Sequence, residues 1–124
     1  RNKRPFNEII RIYKDWMKHF EDDEIINVTC GDWDLEVMIP MQCDQYNIEV
    51  PETLTLWCNL KEAFSELYDT KTKSMSKMMQ YLELKLEGQH HDARFDCLNL
   101  CKIIEAMIRD GCEFTITSDE ELTN

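Results

Sequence analysis

The sequence predicts an α/β fold, one domain with helices flanking a small sheet, and three observations carry that expectation. Apolar residues recur at helical spacing over several long stretches, while "IINVTC" and "CEFTIT" have the β-branched or alternating character of strands. The 124 residues suffice for one core and not for two. A content of 43% hydrophobic and 31% charged residues is that of a globular chain, not a disordered one.

Pro5 opens the first helix, residues 6–20, because its fixed φ suits the first turn. Its apolar stripe is Phe6, Ile9, Ile10, Tyr13, Trp16 or Met17, and Phe20. The acidic "EDDE" connects it to the strand "IINVTC". Gly31 punctuates, and a second helix is expected to begin near Asp32 or Trp33. Pro40 should kink or shorten it, since the ring cannot accommodate the normal hydrogen bond. "QYNIEVPETLTLW" mixes turns and extended pieces, and "WCNL" suits a short strand before the helix "KEAFSELY". After the polar loop "DTKTKS", Met75, Met78, Met79 and Leu82 mark a short helix that Gly88 is expected to end. From about Ala93 to Arg109 a long stripe (positions 97, 100, 101, 104, 107 and 108) makes the last helix, closed by Gly111. "CEFTIT" then alternates as a final strand. Two or three strands are too few for a sheet stable on its own.

The formal charge of −11 describes a solvated acidic surface and weakens a nucleic-acid reading without excluding it. No apolar run is long enough to span a bilayer, so no membrane partner is expected. Nothing at the N-terminus resembles a signal peptide. The opening "RNKRP" lacks an initiator Met, which points to an excerpt of something longer or a processed product. The six cysteines form no CxxC pair and are expected to be buried free thiols in a reducing compartment, cytoplasmic or nuclear. A zinc site using Cys97, Cys101 and His90 or His91 is the alternative.

Two acidic stretches carry the chemistry. In "CGDWDL", Asp34 follows a buried-type strand and enters the next helix, where α/β proteins place ligands. Helix capping is the competing role, and Asp32 fits it better. In "HHDARFDCLNL", His91 stands five residues before Asp96 in the first turns of the long helix. A half-buried carboxylate there invites a divalent cation, and a neutral imidazole nearby suits a base that activates water. The competing account makes His90, His91 and Asp92 solvated loop residues and Asp96 a surface position.

Taken together, "HDARFDC" resembles the third motif of the DEDDh-type 3′→5′ exonucleases, and "GDWDL" resembles their second. With "CNLKEAF" and "DGCEFTIT", the match extends to the histone-mRNA and RNA-interference-regulating branch and covers about residues 6–117. The resemblance implies the C-terminal portion of an RNase H-like domain, a mixed sheet flanked by helices with its first strands missing. Residues 1–5 are then a basic lead-in and residues 118–124 an acidic tail. It also implies that Asp34 and Asp96 hold cations, that His91 rather than His90 is the general base, and that Asn99 is a further family position. Asp32 and Asp92 match no motif position. The cofactors implied are two Mg²⁺ or Mn²⁺ ions about 4 Å apart. The substrates implied are single-stranded RNA 3′ ends or RNA duplex overhangs, with DNA also open, and the products nucleoside 5′-monophosphates.

One family feature is absent. The first motif, Asp-x-Glu on the first strand, has no counterpart, since "DDE" at 22–24 lies in a loop just before the second-motif strand. The chain is therefore expected to begin after the first three strands, to lack the N-terminal part of the domain, and to be inactive alone. A catalytically inactive remnant serving as a binding module is the alternative. Among other residues, Trp33 and Trp57 are expected in the core, with base stacking by Trp33 the alternative. The methionines of "SMSKMMQYL" are read as helix packing. Lys71, Lys73 and Lys77 are read as a solvated loop that could otherwise touch phosphates.

Overall fold

In the computed structural model, residues 4–71, 74–88 and 92–118 are described. Helix α1 spans Phe6–Met17 and tightens into a 3₁₀ turn at Lys18–Phe20, with Pro5 as its cap, Glu8 in the first turn and Lys14 in the last. Both charges complement the helix dipole. Strand β1 is Asn27–Thr29 and β2 is Trp57–Asn59; they pair in parallel, with Asn27 opposite Trp57 and Thr29 opposite Asn59. Three further helices follow: α3 (Leu60–Tyr68), α4 (Met75–Tyr81) and α5 (Ala93–Arg109), after α2 (Ile39–Gln45). Each of α3, α4 and α5 begins with a side-chain cap, from Asn59, Ser74 and Asp92 in turn.

The core is Leu60 and Phe64 of α3, Met75, Met78 and Met79 of α4, and Ile103 and Met107 of α5, with Val28 and Cys30 packed against it. The methionines are thus packing residues, as expected. Phe64, Tyr68 and Tyr81 form a ring cluster with centroids 4.7 to 5.5 Å apart. The Tyr68 hydroxyl donates to Asp110 at 2.6 Å, tying α3 to the end of α5. Separately, α1 rests on α2 through Phe6 and Tyr46, and on the 3₁₀ turn Glu52–Leu54 through Tyr13 and Thr53.

Four expectations are corrected. Pro40 does not shorten its helix. The preceding stretch, Asp34–Met38, widens to i→i+5 hydrogen bonds, with the Ile39 N–H reaching the Asp34 carbonyl, and the helix continues through Pro40 to Gln45. Helix α4 ends at Tyr81, where Glu83 takes the left-handed conformation, and Gly88 lies beyond it. Gly88 instead gives room to a ring, since a Cβ there would lie 2.1 Å from Phe95. "CEFTIT" is extended but forms no strand among the described residues. The β2 amides of Trp57 and Asn59 donate to the hydroxyls of Ser118 and Thr117, so side chains replace the carbonyls of a ladder. Ser118, first residue of the expected tail, is buried by this contact.

The fourth correction concerns exposed apolar groups. Trp57 is buried, but Trp33 is 57% exposed and stands outside the core. Ile9 and Trp16 of α1 are also exposed while Ile10 is buried, so α1 packs with only part of its stripe. Among the described residues β1 has a partner on one edge alone. Placement in the core sets the cost of truncation. Phe64→Ala should lower unfolding free energy by about 3–5 kcal/mol in chemical denaturation, and Trp33→Ala by no more than about 0.5 kcal/mol.

Candidate functional site

Parallel strands in register end at the same edge of the sheet, and the segments leaving β1 and β2 therefore lie side by side. Asn59, at the end of β2, joins them. Its buried carboxamide oxygen accepts the N–H of Gly31 at 3.1 Å and that of Lys61 at 3.0 Å. Asp32 completes the junction, accepting the Trp57 indole N–H at 2.8 Å and the Asn59 amide at 3.3 Å. Asp32 therefore does not cap the helix, as the sequence suggested; both its oxygens are engaged across the strand ends. Gly31 occupies φ +113°, a conformation that a side chain would strain.

This turn carries Trp33 and Asp34 out of the sheet edge, and both are exposed. Asp96 approaches from α5 and is half-buried, and its Oδ1 is buried without a hydrogen-bond partner among the described residues. Such an atom is rare in a folded protein, and a bound cation is one partner that would meet it. The charges of Asp34 and Asp96 both reach Cys30. Burial is the main force pushing that thiol up, Lys61 opposes it, and the charges of Asp96 and Asp34 add to it. The two carboxylates that the sequence paired thus act on one thiol from the end of β1 and the start of α5, and Lys61 acts on it with the opposite sign.

The pair fits a hard divalent cation in ligand type, oxygen from carboxylates, and in the orphaned Asp96 oxygen. It is short in ligand number, because no group of three His, Cys, Asp or Glu able to hold a metal occurs among the described residues. His90 and His91 lie outside the described residues. The zinc alternative draws nothing from the rest of its set: Cys97 and Cys101 are exposed on α5, contrary to the expectation of burial, and no metal-binding group forms around them among the described residues.

Asp92 is occupied by structure. It caps α5 through the Arg94 N–H at 3.0 Å, and Arg94 holds its carboxyl below the usual range. Asn99 is buried, and its carboxamide takes the Glu87 N–H at 2.8 Å and gives to the Glu87 carbonyl at 3.1 Å. Lys102 adds bonds to the Lys85 carbonyl and to the Glu87 carboxylate at 2.7 Å. Helix α5 thereby clamps residues 85–88, the approach to "QHH". Lys61 is the site residue that sequence reasoning missed, though its place directly after a strand was a usable signal. Lys71 and Lys77 are exposed, and Lys73 lies outside the described residues. A cleft of about 510 Å³ lined by Glu62, Glu66 and Glu113 lies elsewhere, along α3 and the segment after α5.

Against known proteins, an exonuclease family model, RNase T, matches residues 1–104. An exonuclease-domain protein of Arabidopsis thaliana is 29% identical over 129 residues, covering 97% of this chain and 38% of its own length. The human protein ERI1 exoribonuclease 3 is 37% identical over 94 residues, covering 75% of this chain and 28% of its own. Among solved structures, the nuclease domain of 3′hExo, a DEDDh family member bound to rAMP, superposes with a TM-score of 0.86 at 24% identity, over 92% of this chain and 60% of that one. Cell-death related nuclease 4 superposes at 0.81 with 27% identity, over 90% and 40%. The chain thus spans under two-fifths of those curated relatives and shares the fold of part of the solved domains.

The thiols give a direct check on this geometry. Burial pushes Cys58 up to about 11 and raises Cys30, Cys43 and Cys112, while Cys97 and Cys101 are exposed. At pH 7.5 the native protein should show two fast-reacting thiols, both on α5, and four slow ones that react only on unfolding. Mass mapping of a short alkylation pulse reads this, and fast labelling of Cys30 or Cys58 contradicts it.

Proposed function

The chain belongs to the RNase T exonuclease family, and on that premise we propose that it forms part of a metal-dependent 3′→5′ exoribonuclease of the DEDDh type. The observation that carries the reading is the buried Oδ1 of Asp96, unpartnered among the described residues, on a carboxylate whose charge acts with that of Asp34 on Cys30 just after β1. RNA is the substrate favoured by the exoribonuclease name of the human relative and by the rAMP held by 3′hExo. DNA is the second substrate to try.

In this reading Asp34 and Asp96 hold Mg²⁺ or Mn²⁺, and the remaining ligands come from residues outside this chain. When bound, two such ions neutralise the scissile phosphate and stabilise the leaving 3′-oxygen. His91 takes the proton of the attacking water, a task for a base whose neutral form is abundant near pH 7. The exposed Trp33, one residue before Asp34, offers a face on which the terminal base stacks. Asp32 and Asp92 stay out of the chemistry because their oxygens already serve the fold. Among the described residues no helix is long and apolar enough to cross a membrane. A cytoplasmic or nuclear location is part of the proposal.

A non-catalytic reading, the domain as a binding module, is favoured by the lack of a three-ligand group among the described residues. The two separate by turnover. The 124-residue chain alone should release no nucleoside monophosphate from a single-stranded RNA oligonucleotide with Mg²⁺, and digestion would overturn that expectation. The longer protein containing this chain should digest it. Asp96→Asn in that protein should lower kcat by about three orders of magnitude with an unchanged circular dichroism spectrum. A rate near wild type refutes the role of Asp96, and no turnover by the unsubstituted protein favours the binding module.

A further inference from the structure

The geometry points to Lys61 as the group that holds a phosphate oxygen of the nucleic-acid substrate at this site, an assignment that rests on the nuclease reading above. Lys61 is the second residue of α3 and follows β2 directly, so it leaves the sheet at the same edge as Gly31 and Asp34. Its backbone is fixed there by the bond of its N–H to Asn59. Its Nζ lies 4.0 Å from the position a Cβ of Gly31 would take, so the bare glycine leaves the ammonium room beside the turn. Of the charges felt by Cys30, Lys61 has the largest effect, with Asp96 and Asp34 opposing it. One cation and the two candidate metal-binding carboxylates thus act on the same thiol, beside the Gly31 turn that the Lys61 Nζ approaches.

Lys61 is half-buried as a residue and, among the described residues, its ammonium makes no hydrogen bond or ion pair. Two other lysines are committed, Lys18 to Asp15 and Lys102 to Glu87. A chain with a formal charge of −11 repels a polyanion over most of its surface. Bringing a phosphodiester to two carboxylates then requires a local positive group in addition to any bound ions, and an ammonium is a suitable point charge for a phosphate oxygen. Lys61 meets that need at the reacting edge. The same ammonium could instead serve only to relieve repulsion between Asp34 and Asp96, and the two roles separate by what its removal changes.

The test uses the chain with a short single-stranded RNA oligonucleotide, with Ca²⁺ replacing Mg²⁺ to prevent turnover, followed by fluorescence anisotropy as salt is varied. Lys61→Met should weaken binding about tenfold and reduce the slope of log K against log salt by about 0.7. Lys61→Arg, which keeps the charge, should stay within about threefold of the unsubstituted chain. Unchanged RNA affinity in Lys61→Met, with or without tighter Mn²⁺ binding, overturns the assignment. Asp96→Asn is the control on the underlying reading: it should abolish the cation-dependent part of RNA binding. If it does and Lys61→Met is silent, the Lys61 assignment fails alone. If the unsubstituted chain shows no cation-dependent binding, the cation site of Asp34 and Asp96 in this chain fails, and the assignment of Lys61 that rests on it fails too.

Discussion

The candidate site depends on one constraint, the in-register parallel pairing of β1 with β2 and the Asn59 carboxamide that locks its end. Thr29 opposite Asn59 makes both strands finish together. Asn59 then accepts the amides of Gly31 and Lys61 and gives to Asp32, so one buried side chain fixes the start of two separate connections. A buried polar group of this kind must have its partners met, and each partner here is a residue of the site or its neighbour. A slip of one residue would place Cys58 at that position and turn the strand's side chains to the opposite face.

Charge gives that scaffold its purpose. Of the four aspartates near the two acidic stretches, Asp32 and Asp92 are consumed by structure, one across the strand ends and one at the cap of α5. Asp34 is exposed and Asp96 keeps an orphaned oxygen, so these two are left for work outside the fold. In the proposed function, Lys61 is the counterweight that lets an acidic chain admit a phosphate. Asn99 and Lys102 extend the same logic along α5, holding residues 85–88 against the helix that carries Asp96.

Much of this was legible in the residues. Helix α5 spans Ala93–Arg109 as read, because its stripe is long and Asp92 caps it. "WCN" forms its strand, and Asp34 and Asp96 were marked by motif before any fold was known. What was not legible depended on tertiary placement. An aromatic beside a strand reads as core, yet Trp33 faces outward because its turn is pulled across to β2 by Asp32. Pro40 reads as a kink or an early end, but local pattern does not say that five residues can widen ahead of it. "CEFTIT" alternates like a strand, yet the hydroxyls of Thr117 and Ser118 take the amides a ladder would use. Lys61 reads as an ordinary early-helix lysine, and only the neighbouring strand end gives it a role.

The central claim is that a divalent cation binds between the end of β1 and the start of α5. Titration of the isotope-labelled chain with Mn²⁺, followed by amide line broadening in NMR, tests it most directly. Broadening should appear first at Gly31, Asp34 and Asp96, and Asp96→Asn should remove it. Broadening centred on Glu62, Glu66 and Glu113, or spread evenly over the acidic surface, would contradict the account.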